Sequence, residues 1–173
     1  MKKILVVVDM QNDFINGSLG SDEAQNVVDA VSEKIKEYDV KNIYVTRDTH
    51  TEDYLNTNEG RHLPVIHCIK NSKGWQLNEK IETATEGALV IDKTTFASVE
   101  LAHLLKAENN KEALEIELVG LCTDICVISN ALLLKAFMPE VSIKVDSSCC
   151  AGVTPDSHRM ALETMKMCQI DVI

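Results

Sequence analysis

Short apolar runs alternate with longer amphipathic stretches along the whole chain. The runs are Ile4–Val8, Ile43–Val45, Ala88–Ile91, Ile116–Val119 and Val141–Val145, each rich in Val, Ile or Leu. Short runs of this composition predict strands of a parallel sheet covered on both faces. Between them, Val27, Val28, Val31 and Ile35 share one helical face, as do Val99, Ala102 and Leu105. Residues 124–136 are mostly apolar, which predicts a well-buried helix. Pro155 and Asp156 open a last helix that runs to Cys168, and Asp171–Ile173 is expected as a short final strand. Such alternation predicts βαβ units. The expected fold is a single α/β domain over 1–173, a parallel sheet of about six strands with helices on both faces. The stretch 47–87 breaks the rhythm, being polar and carrying His50, His62 and His67. Long connections in compact domains are functional or disordered, and Trp75 and Ile81 point to order.

Composition narrows the function classes. At 173 residues the chain is one domain, large enough to fold without disulfides or a structural metal. A hydrophobic content of 45% lies in the globular range and argues against disorder. With 27 acidic against 17 basic residues the net charge is −10, so neither nucleic acid nor an anionic membrane is expected as a partner. Lys2-Lys3 and the apolar Ile4–Val8 imitate a signal peptide, but the run stops at Asp9 and no small-residue cleavage site follows. The six cysteines are therefore expected as free thiols in a reducing cytoplasm.

Ligands in open α/β sheets bind beyond the carboxyl ends of the strands. The residues expected there are Asp9, then Arg47, Asp48 and His50, then Asp92 and Lys93, then Cys122 and Cys126, then Asp146. Each has an ordinary reading alone: Asp9 as a turn former, Lys93 as an exposed loop lysine, Cys126 as packing among Ile125, Val127 and Ile128. Together they supply a nucleophile, a proton carrier and a cation. Thr123 is a good N-cap, which would put Cys126 in the first helical turn, where the helix dipole favours a thiolate. Asp48, His50 and His67 make a plausible ligand set for zinc, iron or manganese, with Glu59 and His62 nearby in the same loop. The rival reading is a polar loop with ordinary histidines. His103 and His158 read as ordinary helix residues.

Four segments resemble the isochorismatase-like cysteine hydrolases, and among them the nicotinamidases. They are Val7–Phe14 followed by Gly17-Ser18-Leu19, Arg47–His50 with Pro64 and His67-Cys68 downstream, Asp92–Phe96, and Gly120–Val127. The resemblance covers nearly the whole chain and implies a three-layer α/β/α fold. It implies Asp9, Lys93 and Cys126 as catalytic triad, and Asp48, His50 and His67 as ligands of a divalent metal, zinc before iron or manganese. Glu59 is the matching position where relatives add a carboxylate. It further implies a cis peptide before Cys122, an oxyanion hole made by the backbone N–H groups of Cys122 and Cys126, and Phe14 and Trp75 as an aromatic substrate pocket. The implied activity is hydrolysis of nicotinamide, a small amide. The alternatives are another amide or carbamoyl compound, a vinyl ether as in metal-free relatives, or a binding module without chemistry. One domain of this size has no room for a separate lid. Segment 47–87 or a neighbouring subunit would have to close the pocket, so a homo-oligomer is expected.

Overall fold

Each expected apolar run forms a strand. The computed structural model describes residues 1–173. Its strands are β1 (Lys2–Val8), β2 (Ile43–Asp48), β3 (Leu89–Lys93), β4 (Leu114–Leu121), β5 (Ser142–Ala151) and β6 (Asp171–Val172). They make one parallel sheet in the order β3-β2-β1-β4-β5-β6. The helices are α1 (Asn12–Ile15), α2 (Asp22–Asn26), α3 (Val28–Ile35), α4 (Asn58–His62), α5 (Glu79–Ala84), α6 (Val99–Asn109), α7 (Ile128–Phe137) and α8 (Pro155–Met167). None is long and apolar enough to cross a membrane.

Strand β1 shows why its run from Ile4 to Val8 is apolar at every position. Ile4, Val6 and Val8 point to one face and pack with Leu101, Leu105, Leu134 and Met165. Leu5 and Val7 point to the other and pack with Val31, Ile35 and Ile81. A central strand with a helical layer on each face must be apolar at every position. The single domain, the parallel sheet and the three layers are therefore as expected.

Two local expectations change, both at β5. Strand β5 does not stop at Val145 but continues to Ala151, past a register shift between Leu118 and Gly120. Asp146 is thus an interior strand residue and not a rim acid. Its burial is tolerated because Lys34 Nζ lies 3.0 Å away and Ser148 donates to it from both backbone and side chain. Cys149 and Cys150 consequently lie buried in that strand. The segment 47–87 is ordered. It carries α4, α5 and a 3₁₀ turn at Tyr54–Asn56, and is pinned by short bridges from Gln11 to Leu77 and from His50 to Ile69.

The strand order reverses between β1 and β4, the switch point at which open α/β sheets bind ligands. Gly120 lets the two strands meet closely there. Its φ is +117°, and a Cβ would stand 2.2 Å from the Val8 carbonyl oxygen. Gly120→Ala therefore meets both backbone strain and a clash with the strand that ends in Asp9. We expect a loss of about 3 kcal/mol, read as a fall of roughly 10 °C in melting temperature. An unchanged melting curve would show that the β1–β4 approach is not tight.

Candidate active site

Asp9 is the first residue beyond β1, completely buried, with a φ of +49°. Aspartate is among the few residues that adopt this left-handed backbone readily. Its carboxylate accepts from Thr46 Oγ1 at 2.6 Å, and its other oxygen meets Lys93 Nζ at 2.6 Å. Lys93 is the last residue of β3, and its buried ammonium donates to Cys126 Sγ at 3.4 Å. Three strands thus deliver an acid, an ammonium and a thiol to one point. The same ammonium lies 3.8 Å from Asp48 Oδ1 at the end of β2.

The turn that carries Cys126 differs from the expectation. Thr123–Val127 form a wide π-helical turn ahead of α7, with Cys122 at its N-cap and no side-chain cap. Thr123 is not the cap, because its hydroxyl is engaged elsewhere. Such turns recur at functional sites because they push one residue out of the regular spiral. The Leu121–Cys122 peptide is cis, as the resemblance implied. Burial pushes the Cys126 thiol well above its ordinary value, Asp9 adds to the rise, and Lys93 opposes it. Desolvation thus works against the cation and the helix start that favour a thiolate. Burial also raises Asp9, against the pull of Lys93. For Lys93, burial works against the charge, but Asp9, Cys126 and Asp48 outweigh it and raise the group. The lysine keeps its proton, and Asp9 and Cys126 compete for another.

Asp48, His50, Glu59 and His67 each aim one ligand atom at a common centre, all within 4.8 Å of one another. Asp48 Oδ2 lies 2.8 Å from His50 Nε2 and 3.5 Å from His67 Nε2, and Glu59 Oε1 lies 3.6 and 3.7 Å from the same nitrogens. His67 Nδ1 donates to the Val65 carbonyl at 2.8 Å, which leaves the Nε2 lone pair facing the centre. His50 Nε2 is buried without a hydrogen-bond partner. Burial pushes the Asp48 carboxyl up, but the two imidazoles and Lys93 outweigh it and hold it well below the usual carboxylate range. Two imidazole nitrogens, one of them the unpartnered His50 Nε2, and two carboxylates fit a divalent transition metal. His62 does not join them, as its ring turns outward to the Asn58 carbonyl at 2.8 Å.

The aromatic residues divide. Phe14 packs on His67, with ring centroids 5.6 Å apart. Trp75 is tied to the end of β2, its N–H donating to Thr49 Oγ1 at 2.8 Å and one face covered by the Arg47 guanidinium at 3.7 Å.

Several positioning residues escaped the sequence reading. Gln11 donates to the carbonyls of Asp48 and Trp75 at 2.8 and 2.9 Å and accepts from Asp48 N–H at 2.7 Å. One buried amide thereby holds the Asp48 backbone on both sides. Tyr54 wedges its ring against His50 and His67, at 4.6 and 4.9 Å, and donates to the Leu63 carbonyl. Asn130 joins the Cys126 carbonyl to the Ser98 amide, linking the thiol turn to the chain beyond Lys93. Its position four residues after Cys126 on a helix was the available signal. Asp13 accepts from the Cys68 amide at 2.7 Å, next to His67, and a Cβ on Gly74 would overlap its carboxylate.

Known proteins resemble this chain over its whole length. Residues 3–173 match the isochorismatase domain. The chain is 25% identical to a nicotinamidase of Saccharomyces cerevisiae, the match covering 99% of each. A crystal structure of a pyrazinamidase of Pyrococcus horikoshii in complex with zinc superposes with a TM-score of 0.79 at 27% identity, covering 100% of this chain and 99% of that one. The N-carbamoylsarcosine amidase of Thermoplasma acidophilum superposes with a TM-score of 0.77 at 26% identity, covering 99% and 95%.

Proposed function

The chain belongs to the isochorismatase family, and on that footing we propose that it hydrolyses nicotinamide to nicotinate and ammonia through a thioester on Cys126. One observation carries the reading. Lys93 Nζ stands 2.6 Å from Asp9, 3.4 Å from Cys126 Sγ and 3.8 Å from Asp48, so the nucleophile and the metal-ligand cluster share one ammonium.

The thiol rests protonated beside the Asp9 carboxylate. As Sγ attacks the carboxamide carbon, Asp9 takes the thiol proton, so the thiolate exists only while the new bond forms. Lys93 offsets the negative charge that passes from Asp9 to sulfur. The backbone N–H groups of Cys122 and Cys126 receive the oxyanion, a role worth about 3–4 kcal/mol per donor in other enzymes. Asp9 returns the proton to the departing ammonia. It then accepts one from the water that attacks the thioester, releasing the acid and restoring the thiol. Asp48, His50, Glu59 and His67 would hold a divalent metal, with zinc the first candidate. When bound, it supplies a Lewis-acid site for the lone pair of a ring nitrogen and so orients the substrate. Phe14 offers an apolar wall beside His67, and segment 47–87 covers the pocket.

A second reading, hydrolysis of a carbamoyl compound by the same triad, is favoured by the likeness to N-carbamoylsarcosine amidase. Ammonia release from nicotinamide, pyrazinamide and N-carbamoylsarcosine separates the two, run after chelation and again with zinc, iron or manganese restored. We expect rapid release from the two heteroaromatic amides, lost on chelation and regained with metal. Release from N-carbamoylsarcosine alone would overturn the nicotinamide reading.

A further inference from the structure

Thr123 is fully buried, yet its hydroxyl does not cap the turn that it opens. Oγ1 lies instead 2.8 Å from Nδ1 of His158, in the first turn of α8. The thiol turn has little internal bracing at this end. Both Ile125 N–H and Val127 N–H converge on the Cys122 carbonyl, and no side chain closes the N-cap. Support must come from outside, and segment 152–158 is built to give it. Asp124 accepts from the Val153 amide at 3.1 Å. A Cβ on Gly152 would come within 2.8 Å of His158 Cβ and 2.9 Å of its Cα, so only glycine lets this segment lie flush. A reciprocal cap between Thr154 and Ser157 fixes the start of α8 and with it the origin of the His158 side chain. Burial holds the imidazole below its ordinary value, with Asp124 opposing, which favours a neutral ring with an acceptor nitrogen.

We propose that His158 is a positioning residue: through Thr123 it holds the Cys122–Cys126 turn in register with Asp9 and Lys93. The proposal rests on the reading of Cys126 as nucleophile. A fully buried hydroxyl is costly to leave unpaired, so the Thr123–His158 contact fixes one arrangement of the turn. His158 itself touches none of Asp9, Lys93 or Cys126 among its hydrogen bonds. Its loss should therefore act on the chemical step and spare metal binding.

The test combines kinetics on nicotinamide with nitrogen-15 NMR of the same metal-loaded protein. His158→Ala should lower kcat about tenfold with KM within twofold, and His158→Asn, which keeps an acceptor near the Nδ1 position, should recover most of that loss. Thr123→Val should lower kcat similarly, Thr123→Ser should not, and the double variant H158A/T123V should be no worse than either single one. The Cys122 and Cys126 amide resonances should move in His158→Ala and return in His158→Asn. Additive losses, equal losses in the alanine and asparagine variants, or unmoved Cys122 and Cys126 amides would each overturn the proposal. If His158→Ala does not fold, the Thr123→Val and Thr123→Ser pair decides by the same readouts. If the wild-type protein hydrolyses no nicotinamide, the functional reading fails separately, and the amide resonances alone decide whether His158 holds the turn.

Discussion

Cys126→Ala is expected to abolish ammonia release from nicotinamide, with kcat lowered by at least about 10⁴-fold, while bound metal is unchanged. Nucleophile removal in other covalent hydrolases costs about 10⁶-fold and leaves only what the oxyanion donors and substrate binding supply. The metal should stay because Cys126 is not among the four converging ligand residues. Asp9→Asn should fall nearly as far, for a different reason. It removes the proton acceptor and leaves the Lys93 ammonium, 2.6 Å away, without its counter-charge. Turnover kinetics paired with metal analysis of each purified variant check both. An alanine variant that still turns over at the wild-type rate would place the chemistry elsewhere. One that loses metal would show that the two sites are not separable.

His67→Ala is expected to lower kcat/KM for nicotinamide by about 10³-fold and to deplete the metal. A fixed orientation is worth several kcal/mol in reactions that hold one reactant against another. The ligand set makes His67 the telling choice. Its Nδ1 is already committed to the Val65 carbonyl, so Nε2 has no role but the common centre. The thiol should keep its reactivity, since Lys93 and Asp9 bracket Cys126 without help from His67. Alkylation of Cys126 by iodoacetamide, mapped by mass spectrometry, should therefore proceed at the wild-type rate. Full nicotinamide hydrolysis by metal-free His67→Ala would remove the metal from substrate binding.

The layers of the fold were legible because β1 carries no polar residue between Ile4 and Val8, which only a doubly covered strand allows. Asp9, Asp48 and Lys93 were legible as candidate site residues because each follows or ends an apolar run, and strand ends in such sheets converge; the grouping with Cys126 as a triad, and of His50 and His67 with Asp48 as metal ligands, is what the family resemblance implied. What escaped were contacts made across long separations by residues with unremarkable neighbours. Gln11 looks like a turn residue until the Asp48 backbone lies against it. Tyr54 sits in a polar stretch and only the fold puts its ring between two imidazoles. Asp146 misled because a charged residue after an apolar run reads as a strand end. Here Lys34, brought up by α3, lets the strand continue. The opposing pull of burial on the thiol was not legible for a related reason. Helix-start chemistry is visible in a sequence, but complete desolvation, which outweighs it at Cys126, is a property of the packed molecule.

The four candidate ligand residues lie on unlike parts of the chain: Asp48 ends β2, His50 follows it, and Glu59 and His67 belong to the connection beyond. An ion held among them would be a clasp, closing the chain from Asp48 to His67 and fastening a stretch of short helices to the sheet. Closing such a loop removes freedom from the unfolded chain, and the gain appears only when the ion is bound. Metal affinity and the stability of this connection are then one linked quantity. A substitution at Gln11, Tyr54 or Asp13 that lets the metal-free connection open would weaken the ion's hold in proportion to the fraction opened, although none of the three is a candidate ligand.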